Sequence, residues 1–178
     1  LADNDGRVIG SGRTDPGVHA SGQEFAATDA WRHSVADLQR AWNAHLPPSI
    51  CIHSMALAPE GFHPRFSAIG RTYRYTVYHQ GGMSSAAGLR RSPLTDRYAL
   101  FMPASLDVAA MQDAALQLVG EHDFATFGQP PQGENTTRRV TGADWQVVRT
   151  DLLALQQCPG ERLVFTISAN AFLRRMVR

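Results

Sequence analysis

Apolar and polar positions along the chain follow two rhythms, one strand-like and one helix-like. From Phe66 to His79 they alternate with a period of two, which predicts a long strand with Arg71, Tyr73, Tyr75 and Val77 on one face. Arg139–Thr150 and Leu163–Ala169 read as two more strands, and Pro159–Gly160 between them marks the turn of a hairpin. Arg7–Gly10 and Gly22–Thr28 read as short strands on either side of a turn-rich loop, Ser11–His19. The apolar run Ile50–Leu57 reads as a buried strand. Val35, Leu38, Trp42 and Leu46 recur at helical spacing behind Ser34, an N-cap residue, and Pro47–Pro48 ends that helix. A second helix runs from about Leu106 to Val119, with Ser105 as its cap, Ala109, Leu116 and Val119 on its apolar side and Gly120 just past its end. Phe172–Arg178 predicts the start of a third helix, and Gln80–Ser92 and Phe127–Thr137 read as loops. Strands and helices mix without strict βαβ alternation, so the expected class is α+β with a mostly antiparallel sheet. A soft boundary at Pro59–Gly61 separates an N-terminal half, 1–60, from a C-terminal half, 61–178.

Composition narrows the chemistry. Hydrophobic residues make up 43% of the 178 positions, enough for a packed core. No apolar run reaches the ~18 residues of a membrane span, and the first ten residues lack the pattern of a signal peptide. The chain does not begin with Met and stops at Arg178 within the predicted last helix, so it is expected to be a piece of a longer protein. Cys51 and Cys158 are far apart and form no CxxC pair, which points away from a disulfide framework and towards a reducing cytoplasm. The seven histidines show neither HxxxH nor HxH spacing, so no metal site is expected.

All 17 basic residues are arginine. The absence of lysine excludes a Walker A lysine, a lysine Schiff base and a lysine nucleophile. Net charge is only +1, but between Gly61 and Leu100 six arginines face one acid, Asp96, and Arg174, Arg175 and Arg178 cluster at the end. Such patches fit a polyanionic partner, and equally an ordinary solvated surface.

The most informative segment is Gly12-Arg13-Thr14-Asp15-Pro16-Gly17-Val18-His19-Ala20. Pro16 fixes its own φ and biases Asp15 away from the helical region, and Gly17 can take a positive φ. Asp15 is thereby projected from a tight turn, with Arg13 and His19 close in sequence. An adjacent arginine would keep Asp15 ionised, as a carboxylate nucleophile must be. Asp-Pro-Gly is also common surface-turn chemistry, so local physics leaves both readings open. Gly10–Asp15 is not a dinucleotide fingerprint, because Asp15 stands where glycine is needed. The aspartic-protease loop is a further partial likeness, but its chemistry needs two carboxylates and no second copy of the loop occurs.

Gly12–Ala20 closely resembles the Gly-Arg-Thr-Asp-Ala-Gly-Val-His-Ala signature of the tRNA pseudouridine synthase A family, departing at Pro16 where alanine is common. Phe62-His63-Pro64-Arg65-Phe66-Ser67-Ala68 is similar to the family's Phe-His-Ala-Arg-Phe-Ser-Ala segment, and Arg71-Thr72-Tyr73-Arg74-Tyr75 to its Arg-x-Tyr-x-Tyr strand. Gly120–Phe124, Thr137-Arg138 and Asn170–Arg178 resemble its later motifs in the same order.

The resemblance implies a pseudouridine synthase fold of two RRM- or ferredoxin-like halves with helices on one side of the sheet. It implies that opening and closing elements of the family lie outside this chain. It assigns catalysis to Asp15 as the attacking carboxylate, Tyr73 as the ring that stacks on the target base, and Arg178 as the partner of Asp15. Arg13, Thr14, His19, Arg32, Phe62 and His63 become candidate RNA contacts, as do Arg65, Phe66, Arg71, Thr137 and Arg138, with Arg74 a weaker candidate. The reaction implied is uridine-to-pseudouridine isomerisation in the anticodon arm of tRNA, by a cytoplasmic homodimer, with no cofactor and no membrane. A non-catalytic RNA-binding protein and an aspartate-dependent hydrolase are the alternatives from other classes.

Overall fold

The structure is a computed structural model and describes residues 7–28, 31–79, 91, 93, 96–130, 133–148 and 161–177. The chain divides into two compact units, Leu1–Ala68 and Ile69–Arg178.

The first unit contains β1 (Val8–Gly10), paired antiparallel with β2 (Phe25–Ala27), and α1 (Val35–His45). Helix α1 starts where Ser34 and Asp37 form a capping box. The Ser34 hydroxyl accepts from the Asp37 amide at 3.1 Å, while the Asp37 carboxylate accepts from the Ser34 amide at 3.3 Å. The helix stops where Pro47 forces Leu46 into an extended conformation (φ −72°, ψ 147°). Trp42 stacks on Phe25 of β2, with ring centroids 5.8 Å apart.

The strand expected at Ile50–Leu57 does not form. Its backbone groups find partners on α1 instead of in a ladder. Asn43 accepts from the Ile52 amide at 2.8 Å and donates back to the Ile52 carbonyl at 3.0 Å. Gln39, one turn earlier, donates to the carbonyls of Ile52 and His53, each at 3.0 Å. A buried backbone needs partners of some kind, and here two helix side chains supply them. Ile52 alone in this run is buried.

The second unit is a five-stranded sheet in the order β4-β3-β7-β6-β5. Its members are β3 (Arg71–His79), β4 (Leu100–Met102), β5 (Gly120–Asp123), β6 (Thr137–Val148) and β7 (Glu161–Ala169). The α+β class holds, and the sheet is mostly antiparallel, but it is mixed because β3 and β4 run parallel. Central β7 is paired on both sides, and Leu163, Ile167 and Ala169 alternate into its buried face. A bulge in β6 at Thr141 shifts the register, so Val140 and Ala143, three residues apart, face the same core.

Helix α2 (Val108–Leu116) packs Ala115 into that core with Phe124, Val140, Ala143, Ile167, Ala169 and Leu173. Its cap is Asp107, not Ser105: the Asp107 carboxylate accepts from the Ala110 amide at 3.0 Å. Its end comes at Leu116, and Gly120 (φ +120°) opens β5 rather than closing the helix. β5 pairs only with Thr137–Val140, so among the described residues the rest of the outer edge of β6 has no strand partner. Gln112 of α2 partly covers the gap by accepting from the Trp145 amide at 2.7 Å.

No helix begins at Phe172 within the described residues. The segment after β7 is clamped instead. Asn170 donates its amide to the Arg139 carbonyl (3.1 Å), while its side-chain oxygen accepts from the amides of Arg139 (3.0 Å) and Ala171 (2.8 Å). Arg174 then forms an antiparallel bridge with Gln129. Arg175 adopts φ +72°, a left-handed conformation that helix continuation forbids. Gly128 is required beside this turn: a Cβ there would lie 2.5 Å from the Arg174 carbonyl oxygen and 3.0 Å from Leu173 Cβ. Gly128→Ala is expected to lower stability by about 1–3 kcal/mol through this overpacking. Chemical denaturation measures it, and an unchanged midpoint would mean the two segments are not this close.

Candidate functional site

In the first unit, the turn carrying Asp15 is defined by hydrogen bonding and by two backbone constraints. The Val18 amide donates to the Asp15 carbonyl at 3.0 Å, and Gly17 has φ +83°. A type II turn requires a positive φ at its third position and favours proline at its second. Upstream, the Ser11 amide bonds to the Glu24 carbonyl at 2.8 Å. Gln23 donates to the Ser11 hydroxyl (3.0 Å) and to the Gly12 carbonyl (3.2 Å). One arm of the loop is thus tied to the β2 side, and the exposed Arg13, Thr14, Asp15 and His19 share the projecting arm. Arg32 is exposed just before α1, between Trp31 and His33, whose rings meet edge-on at 5.3 Å.

The segment around His63 forms a compact knob in the same unit. His63 Nδ1 accepts from the Arg65 amide (3.2 Å) and the Phe66 amide (3.4 Å), and the Ser67 hydroxyl accepts from the His63 amide (3.1 Å). With Nδ1 an acceptor, the neutral ring carries its proton on Nε2. His63 packs on Phe66 with centroids 4.4 Å apart, and the Arg65 guanidinium carbon lies 5.9 Å from the Phe66 ring centre. Phe66 is 78% exposed and Phe62 is also exposed, an arrangement of cation and open ring suited to RNA.

In the second unit, Arg71 and Tyr73 lie on one face of β3, as the alternation predicts, and Tyr73 sits opposite Ile167 of β7. Tyr73 remains 37% exposed. Its ring meets Phe172 edge-to-face, with centroids 5.0 Å apart and planes at 86°. That contact is not readable from the spacing of Tyr73 and Phe172, although both stand in segments singled out by their motifs. Thr137 is exposed at the start of β6. The Arg138 guanidinium donates to the carbonyls of Asn135 (3.1 Å) and Thr137 (2.6 Å), so part of it orders the preceding turn. Arg178 lies outside the described residues.

Asp123 is a structural group that the sequence did not single out. Its carboxylate accepts from the Thr136 hydroxyl and from the Ala125 amide (3.0 Å), joining the end of β5 to the 133–136 turn. These bonds, that from Thr136 first, hold its pKa below the usual carboxylate value.

Residues 114–178 match the sequence profile of a family described as tRNA pseudouridine synthase. Curated proteins similar to this chain carry the name tRNA pseudouridine synthase A. The protein of that name from Roseiflexus castenholzii is 42% identical over 97% of this chain and 58% of its own length. Those from Geobacter sulfurreducens and Chlorobaculum tepidum are 39% and 38% identical, over 97% and 96% of this chain and 63% and 61% of their own lengths. The chain therefore spans about three fifths of the curated relatives it matches. No helix among the described residues is long and apolar enough to cross a membrane.

Because the folded pKa of Asp123 is depressed, its contribution to stability is present above the unfolded value of about 3.9 and fades as pH falls through the folded value. Asp37 and Asp96, also depressed, act in the same window, through Ser34 and Arg91 respectively. Melting temperature should therefore fall on acidification below roughly pH 4, and Asp123→Asn should make that fall shallower. Identical slopes for the two proteins would remove Asp123 from the account.

Proposed function

We propose that the protein isomerises uridine to pseudouridine in tRNA, at positions in the anticodon arm, acting as a cytoplasmic homodimer. The observation that carries this reading is the carboxylate of Asp15, exposed on a turn that Pro16 and Gly17 make rigid, within the motif Gly12–Ala20. The names of the relatives and the order of the remaining motifs support it. Cys51, a free thiol, suits a reducing compartment.

The reaction breaks the C1′–N1 bond, turns the uracil, and joins C5 to C1′. C5 gives up a proton and N1 gains one, so nothing is consumed and no cofactor is needed. A paired or stacked uracil must first be flipped out, at a few kcal/mol. Stacking on Tyr73 returns part of this, since base–aromatic stacking is worth ~1–3 kcal/mol. Asp15 then attacks C1′ or takes a proton from the sugar, and either route requires it ionised. Arg178 supplies the cation that keeps it so. RNA is held through phosphates and shape, with Arg13, Thr14, His19 and Arg32 near Asp15 in sequence, the knob of Phe62, His63, Arg65 and Phe66, and Arg71, Thr137 and Arg138 on the second unit.

Asp15→Asn keeps the shape and removes the charge. It should bind tRNA normally in a gel-shift assay and form no pseudouridine by chemical probing. Turnover near wild type would refute the role of Asp15, and binding without product in the unaltered protein would favour a non-catalytic RNA-binding protein. Tyr73→Ala should slow turnover about tenfold more than Tyr73→Phe, which keeps the ring. Equal defects would shift the role from the ring to the hydroxyl.

A further inference from the structure

The ring of Tyr73 is exposed enough to receive a base, and exposure gives it freedom to change rotamer. β4 pairs only with Val77–His79, so the β4-side edge of β3 beside Tyr73 has no strand partner from β4. The aromatic neighbour the structure gives Tyr73 is Phe172, at 5.0 Å and 86°. Edge-to-face rings attract one another through their quadrupoles, and the geometry selects one orientation of the pair.

Phe172 is itself immobilised. It packs against the core cluster, and its neighbour Leu173 is buried. Two residues upstream, Asn170 is bonded at backbone and side chain to Arg139. Two residues downstream, Arg174 is bridged to Gln129 across the close approach at Gly128. Phe172 thus stands on a segment fixed at both ends, while Tyr73 stands half in solvent.

We infer that Phe172 is a positioning residue for catalysis: it holds the Tyr73 ring in the orientation that an extruded uracil stacks on, and does not itself touch the RNA. The inference rests on the reading of Tyr73 as the stacking ring. Fixing the ring in advance moves its ordering from the reaction step to folding, which is the gain from preorganisation.

The test is single-turnover kinetics on tRNA with the protein at its full natural length. Phe172→Leu should lower the rate of pseudouridine formation roughly tenfold while leaving KM within about twofold. Phe172→Tyr, which restores a ring, should recover most of the rate. In a Tyr73→Ala background Phe172→Leu should have no further effect. Circular-dichroism melts accompany each variant, and Phe172→Met replaces Phe172→Leu if the latter does not fold. The inference is overturned if Phe172→Leu changes only KM, if Phe172→Tyr gives no rescue, or if the Phe172→Leu defect is equally large without Tyr73. Should Tyr73→Ala alone leave the rate unchanged, the reading of Tyr73 fails first and the inference falls with it; an active Phe172→Leu beside an impaired Tyr73→Ala sinks the inference alone.

Discussion

The paired hydrogen bonds between Asn170 and the backbone of Arg139 govern the second unit where β7 leaves the sheet. At that point the chain could continue in line with β7, turn into a helix or run across the sheet edge. Asn170 removes the choice by using its own amide and its side-chain oxygen on one residue of the neighbouring strand. Leu173 then enters the core, Arg174 meets Gln129, and Arg175 takes a left-handed turn that few side chains adopt. Such a conformation costs about 1–3 kcal/mol and persists only where its surroundings over-determine it. Here they are the close approach at Gly128 and the Asn170 clamp.

How far the sequence foretells the fold depends on where each element's partners lie. β3, β6 and β7 were legible because each is nine or more residues long and rich in β-branched and aromatic residues. α1 was legible because its stop signals and cap are local, Ser34 at one end and Pro47 at the other. β4 and β5 were missed. Each is three or four residues long, and each is a strand only because a longer neighbour offers it an edge. Ile50–Leu57 has a strand's composition but its hydrogen-bonding groups are claimed by Gln39 and Asn43. Phe172–Val177 has the composition of a helix but is held in turns by Asn170, Gln129 and Gly128. In all these cases tertiary partners overrode a local preference.

The candidate site divides along the same line. The Asp15 turn was legible in full, since Pro16 and Gly17 dictate its geometry without help from elsewhere. Tyr73 was placed on the correct strand and face. Its partner Phe172 was not identified, because the two residues are brought together by the path of the chain after β7 and not by any spacing. The carboxylate of Asp123 escaped notice for a similar reason. Its role is set by the Thr136 hydroxyl and the Ala125 amide, one of them thirteen residues away, which no local pattern announces.

A carboxylate and an aromatic ring ask different things of a fold. Asp15 needs a backbone that aims it and water or a cation that keeps it charged, so a stiff exposed turn of two special residues suffices. A stacking ring is held by dispersion and quadrupole forces that fall off within a few ångströms. It is held by packed neighbours, here the Phe172 ring, and those neighbours are held in turn. The first requirement is met by four consecutive residues, the second by a chain of contacts running from Arg139 through Asn170 and Phe172 to Tyr73. That is why the presentation of Asp15 can be read from a short motif, whereas the setting of the Tyr73 ring depends on how a sheet ends.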